Sequence, residues 1–212
     1  YSAGSSVIST PYRYTLEKNT NDFKYGTSAL KQWLESATLL DGGRFSQNID
    51  DTKLAETEWC NDMSIANKQE LDYRFGAYDR MVTGKNPTLK CNMVGLNGTK
   101  TLKVKSKVGA ITADEVVFAG GVYVPTGEDD NYSFSHYLKG QGTSWTMSPL
   151  GYTIAYDNVF SFADVWYMDS NGELKYPYSM DYSAPARPLI AFLSEVEITE
   201  GDGTKDNPYV IK

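Results

Sequence analysis

Apolar positions fall at helical spacing in two places and at strand spacing along most of the remaining chain. Leu30, Trp33, Leu34 and Ala37 stand at i, i+3, i+4 and i+7. That spacing predicts a helix from Ser28 to about Leu39, capped by Thr27 or Ser28, with Gly42-Gly43 ending the region. Thr112 and Glu115 have the separation of a capping box and open a second predicted helix, Ala113 to Ala119, stopped by Gly120-Gly121. Leu102, Val104 and Val108 alternate like a strand. Residues 44–92 read as irregular and polar, with a tie needed to hold so long a loop. After residue 121 the pattern becomes short strands: 121–125, 144–147, 152–155, 159–168, 174–178 and 187–193. Asn171-Gly172 predicts a two-residue hairpin turn. The segments 196–199 and 209–211 bracket a Gly/Asp turn and predict a closing strand pair. A helix-bearing half, 1–108, and a strand-rich half, 109–212, make one α+β domain over 1–212, loop-rich, with two main helices and short antiparallel strands.

The strand-rich half concentrates aromatic residues. From Trp145 to Tyr182 there are ten: Trp145, Tyr152, Tyr156, Phe160, Phe162, Trp166, Tyr167, Tyr176, Tyr178 and Tyr182. At the chain-wide 13% such a stretch would hold about five, so the excess is local. The rings alternate with Asp157, Asn158, Asp164, Asp169, Ser170 and Asn171 rather than with leucine and isoleucine. Aromatic rings give large contact area at small entropic cost, and tyrosine adds a polar tip, so this mixture suits recognition. In a strand half the rings point inward, so about half of the ten are expected in the core. Between 159 and 168 either face, Val159/Ser161/Ala163/Val165/Tyr167 or Phe160/Phe162/Asp164/Trp166/Met168, is a candidate for burial.

Composition narrows the function classes. The chain is 41% hydrophobic and 22% charged with a net charge of −7. An acidic chain argues against a nucleic-acid partner, which needs a basic stripe. The only basic run, Lys100, Lys103, Lys105 and Lys107, is explained by the solvent face of the 102–108 strand. There is no run of 18 apolar residues, so no membrane span is expected. Tyr1 is not an initiator methionine, which suggests removal of an N-terminal segment. The two cysteines, Cys60 and Cys91, are either a disulfide or two free thiols. Their polar, loop-like flanks favour the disulfide, and a disulfide favours an extracytoplasmic setting.

Candidate chemistry is sparse. The single histidine, His136, has no nucleophile or triad signature around it. One histidine also leaves zinc without a ligand set. Two acidic loops, 128–131 and 202–207, carry a weak hint of calcium, but neither has the ligand spacing of an EF-hand. Glu58, Asp62, Asp79 and Glu115 are carboxylates of the type a hydrolase uses, with nothing in their spacing to select a pair.

Several long motifs carry a resemblance. Cys60–Ser64, 75–80 around Tyr78, 87–91, 109–121, Trp145–Pro149 and 201–211 resemble uncharacterised surface proteins of Gram-positive (Firmicutes) gut bacteria. The paired cysteines of that group correspond to Cys60 and Cys91. Trp145–Pro149, the aromatic segment 159–168, Asn171-Gly172 and Arg187-Pro188 are similar to the C-type-lectin-like fold as used by formylglycine-generating-type domains. Retroelement-diversified variable proteins use that fold with hypervariable positions near the C-terminus, and this chain is similar in outline. Ala184-Pro185-Ala186-Arg187-Pro188 departs from the Gly-Val-Arg-Pro more usual there. No cysteine follows Cys91, so the formylglycine-generating activity itself is not implied.

The resulting expectation is a bacterial, extracellular, cell-surface binding domain of adhesin or receptor type, without catalysis. Its face would comprise Tyr152, Tyr156, Asn158, Phe160, Trp166, Tyr176, Tyr178 and Tyr182, with Asp157 and Asp164 as polar contacts. The ligand would be a protein or glycan on another cell or phage surface; no cofactor is required, and the acidic loops hint only weakly at calcium. The alternatives are a pilus or cell-wall assembly subunit, and a hydrolase with dispersed carboxylates.

Overall fold

In the computed structural model, residues 12–13, 28, 30–32, 34–35, 50–68, 72–124, 142–154, 161–179, 183–204 and 206–212 are described. Ser28 caps the first helix, α1, whose described residues are 30–32 and 34–35, as the spacing predicts. The Lys31 N–H donates to Ser28 Oγ at 3.0 Å and the Gln32 N–H to the Ser28 carbonyl at 3.2 Å. Leu30 and Leu34, one turn apart, are fully buried.

Strand β1 is Tyr12–Arg13, β2 Thr57–Asn61, β3 Ile65–Lys68 and β4 Asp72–Phe75. A short helix, α2, Gly76–Tyr78, runs into a wider π-helical turn, Asp79–Thr83. Then follow β5 Leu102–Ser106, β6 Val108–Gly109, α3 Ala113–Phe118, β7 Ser144–Ile154, β8 Ser161–Met168 and β9 Leu174–Ser179. The chain closes with β10 Ser183–Ala184, β11 Leu189–Ile190, β12 Ile198–Glu200 and β13 Val210–Ile211. The fold is thus mixed α/β, mostly strands with few short helices. No helix among the described residues is long and apolar enough to cross a membrane.

A five-stranded antiparallel sheet of order β3-β4-β7-β8-β9 joins strands from both halves of the chain. The expectation that 44–92 is irregular is therefore corrected. That segment holds β2, β3, β4 and α2, whose four- and five-residue strands mix charged and aromatic positions too briefly to show a period. The predicted strands at 144–147 and from 152 onward are joined in one strand, β7, Ser144–Ile154, carried past Pro149 by irregularities in its pairing with β8. Such breaks are where a proline is tolerated inside a sheet.

Helix α3 has the predicted capping box. Thr112 Oγ1 accepts from the Glu115 N–H at 3.1 Å, and Glu115 returns a carboxylate to the Thr112 N–H at 2.7 Å. The β8–β9 hairpin forms where Asn171-Gly172 predicts one, but with a longer turn. The Asp169 N–H donates to the Glu173 carbonyl at 3.0 Å, and only Gly172 takes positive φ, 83°. This is the pattern of an ordinary turn followed by a left-handed glycine, not of a two-residue turn with two left-handed positions.

Both faces of the sheet are covered. On one side Phe75, Trp145, Met147 and Val165 pack with Leu30, Leu34, Val108 and Ala110. On the other, Leu150, Trp166, Met168 and Leu174 pack with Ala77, Met81, Ile111 and Val116. Residues 165–168 alternate between the two cores, so both candidate faces of the 159–168 segment are buried at this end.

The first half is tied down by two cross-links. Cys60 and Cys91 form a disulfide. Arg80 forks onto Asp114, at 2.8 and 2.7 Å, and reaches Asp62 with Nη1 at 2.8 Å. Burial opposes the Arg80 charge, but its bonds to Asp114 and Asp62 outweigh that and raise its pKa. The carboxylates are themselves satisfied: Asp62 accepts from the Ser64 N–H and hydroxyl and from Thr101, and Asp114 from the Thr88 N–H. Asp62 is thereby structural. Of the lysines, Lys103 and Lys105 pair across the exposed β2–β5 ribbon with Glu58 and Glu56, the solvent face the alternation predicts.

Candidate functional site

The β7–β8–β9 part of the sheet gathers an aromatic cluster with a charged rim. Tyr123 stacks on Tyr176 with centroids 5.4 Å apart. Trp166 meets Tyr123 edge-on at 5.5 Å and Tyr176 at 5.4 Å. Tyr78 approaches Tyr176 edge-on at 6.0 Å. Edge-on and offset contacts of this kind follow from the ring quadrupole and add to the area buried. Each ring comes from a different element: Tyr78 from α2, Trp166 from β8, Tyr176 from β9, and Tyr123 from a segment bridged in parallel to Leu174. Trp166 is fully buried beneath the group, whereas the three tyrosines are only partly buried.

The charged rim follows from strand register. Arg74 on β4 pairs with Gly151 on β7, and Gly151 pairs with Asp164 on β8. Directly opposed residues share a face, so Arg74 and Asp164 lie on one side of the sheet with no side chain between them. A Cβ at Gly151 would stand 2.8 Å from Arg74 Nη1 and press against the Tyr73 carbonyl oxygen, so glycine is what lets the guanidinium cross. Arg74 also binds Asp72 at 2.9 Å and sits 5.2 Å from the centre of the Tyr78 ring.

Electrostatics distinguish the members of this rim. Burial pushes Asp164 up to about 6; Arg74 opposes that rise and Asp72 adds to it. Tyr78 is raised as well, by burial first, then by Tyr176, with its neutral hydroxyl hydrogen-bonded to Tyr176. Around neutral pH the rim therefore offers Asp164 as an acceptor near its titration range, Arg74 as a donor already committed to Asp72, and tyrosine hydroxyls. Rings for stacking beside a few aimed polar groups suit non-covalent binding.

Of the residues expected from sequence, Asp164, Trp166 and Tyr176 come together here. Trp166 is corrected from an exposed contact to a core residue: it is 0% exposed because the other core closes over its face of β8. Tyr152 stands opposite Tyr73 and Ala163 in the sheet, and Tyr178 opposite Val165. Tyr156, Asp157, Asn158, Phe160 and Tyr182 lie outside the described residues, as do His136 and the 128–131 acidic loop. The 202–207 loop is an exposed turn in which Asp202 Oδ1 accepts from the Thr204 N–H at 2.9 Å. Asp72, Arg74, Tyr78 and Tyr123 belong to the site but not to the sequence-derived face. The signal for the first two was present, since Asp72-Tyr73-Arg74-Phe75 alternates charged with aromatic residues.

No family model matches the sequence, no curated protein matches it, and no solved structure matches its fold.

Proposed function

We propose that the chain is an extracellular ligand-binding domain of adhesin or receptor type, recognising a protein or glycan through the tyrosine face of its sheet. The observation that carries this reading is the group Tyr78, Tyr123 and Tyr176, three partly buried rings from three separate elements, rimmed by Asp72, Arg74 and Asp164. Stacking on the rings supplies affinity, and the rim supplies orientation. The Cys60–Cys91 disulfide supports display outside the cytoplasm. A C-type-lectin-like scaffold, and diversification of its C-terminal half by a retroelement, remain part of the same proposal through the resemblance described above. Binding without catalysis and without an obligatory metal completes it.

A screen of the purified protein against glycan arrays and bacterial and phage surface proteins tests this, run with calcium and again with chelator. A ligand whose binding is lost in Tyr176→Ala and Tyr78→Ala variants that remain folded supports the reading. Ligand binding unaffected by both changes moves the site elsewhere.

A second reading, an assembly subunit of a pilus or wall, draws on exposed apolar side chains. Leu89 and Val94 are 65% and 64% exposed, and Ile198 on the β12–β13 ribbon is 61% exposed. Concentration-dependent association in light scattering, without a ligand in the screen, would select it.

A further inference from the structure

Arg187 differs from the other arginines whose side chains the structure describes. Arg74 pairs with Asp72, and Arg80 with Asp62 and Asp114. Arg187 donates from Nη2 to the Gly142 carbonyl at 3.3 Å, and its Nη1 is buried with no hydrogen-bond partner among the described residues. Burial lowers its pKa. Two residues beyond Gly142, Ser144 is 0% exposed and its Oγ also lacks a partner among the described residues. The Trp145 N–H donates to the Pro185 carbonyl at 3.0 Å, so the start of β7 and residues 185–187 run side by side. Both unfilled groups therefore border one seam.

A buried charge is ordinarily paired, and a buried hydroxyl ordinarily bonded. Two buried, unfilled donors bordering one seam, one of them a cation, call for a partner of the same chemistry. We propose that the seam between Gly142–Ser144 and Pro185–Arg187 binds a small oxyanion, of carboxylate or phosphate type, through Arg187 Nη1 and the Ser144 hydroxyl. The guanidinium supplies charge and a planar donor; the hydroxyl supplies a second donor for another oxygen of the same anion. Arg187 is only partly buried as a residue, so the seam lies close to the surface. The site is separate from the tyrosine face: Ser144 opens β7 and pairs with Met168, seven residues from the Gly151–Asp164 pair.

The test is titration of the whole chain with sodium acetate and, separately, inorganic phosphate at fixed ionic strength, read by calorimetry and thermal unfolding. Saturable binding is expected, weakened roughly tenfold or more in Arg187→Gln, since a hydrogen bond to a charged group is lost. Ser144→Ala should weaken it less. Saturation by acetate identifies a carboxylate site, and saturation by phosphate alone a tetrahedral-anion site. A rise in Tm that is linear in salt and equal in wild type and Arg187→Gln is general exclusion of salt from the surface, and overturns the proposal. If Arg187→Gln does not fold, arginine side-chain nitrogen resonances of the wild-type protein decide. A saturable shift of one guanidinium, altered by Ser144→Ala, upholds the site; no shift with either anion overturns it.

Discussion

Arg74 and Asp164 lie in one row across the sheet, with Gly151 between them, yet the guanidinium gives its ion pair to Asp72 on its own strand. Asp164 is left a partly buried carboxylate whose pKa is set first by desolvation rather than by its cationic neighbour. A group in that condition contributes to stability with a sign opposite to that of an ordinary salt-bridged acid.

The folded-state pKa of Asp164, about 6, stands above its ordinary value of 3.8. Between those values the folded chain keeps the proton and the unfolded chain has released it, so stability falls as pH rises through the window and is level above it. The Asp164→Asn variant should lose this slope and be more stable than wild type at pH 7 by on the order of 2 kcal/mol. Urea unfolding of both proteins at pH 4.5 and 7 measures it; parallel curves would show that Asp164 titrates normally.

Gly151→Ala places a methyl group against the Tyr73 carbonyl and the Arg74 side chain. Backbone cannot yield as a side chain can, so a destabilisation of about 1–3 kcal/mol is expected. Any ligand that uses the rim should bind more weakly as Arg74 is displaced. Equilibrium unfolding gives the first effect and titration calorimetry the second.

Trp166→Ala should cost about 3–5 kcal/mol, because it empties a fully buried site beneath Tyr123 and Tyr176. Tyr176→Ala should cost less while removing a partly exposed ring. Chemical denaturation separates the two: similar losses would mean that Tyr176 is as much a core residue as Trp166.

Removing Arg80 leaves the buried Asp62 and Asp114 carboxylates without their cation, so Arg80→Ala should lose about 3–5 kcal/mol, and Asp114→Ala less, because Asp62 still pairs with Arg80. Arg80→Lys should recover little, since a single ammonium cannot bond Asp114 twice and Asp62 once. A lysine variant of wild-type stability would show that the forked geometry is unimportant.

Cys60→Ser with Cys91→Ser reopens a loop spanning 31 residues. The chain-entropy account expects a loss of about 3–4 kcal/mol. Thermal unfolding of the double variant beside the reduced wild type checks this, and the two should agree.

Local rules carried a good part of the architecture. Ser28 and the Thr112–Glu115 box mark helix starts because a cap is a contact among residues three apart in sequence. Tyr167 and Leu174 fall in strands, and a hairpin falls at 169–173, because a turn is equally local. Strands β2, β3 and β4 went unread because four or five residues are too few for an alternation to stand out in a polar segment. What makes them strands is pairing with β5 and β7, far away in sequence.

The site divides in the same way. The sequence by itself determined the local excess of aromatic residues, the cysteine pair available for bridging, and the helix caps. Each of these rests on composition or on neighbours within a few positions. Only the tertiary structure decided that Trp166 lies in the core rather than on the surface, and that Tyr78 and Tyr123 join Tyr176. It alone brought Arg74 and Asp164 into one row and left Arg187 without a carboxylate among the described residues. Burial and pairing between distant segments depend on which strand lies beside which, a property of the whole sheet that no single stretch of the chain encodes.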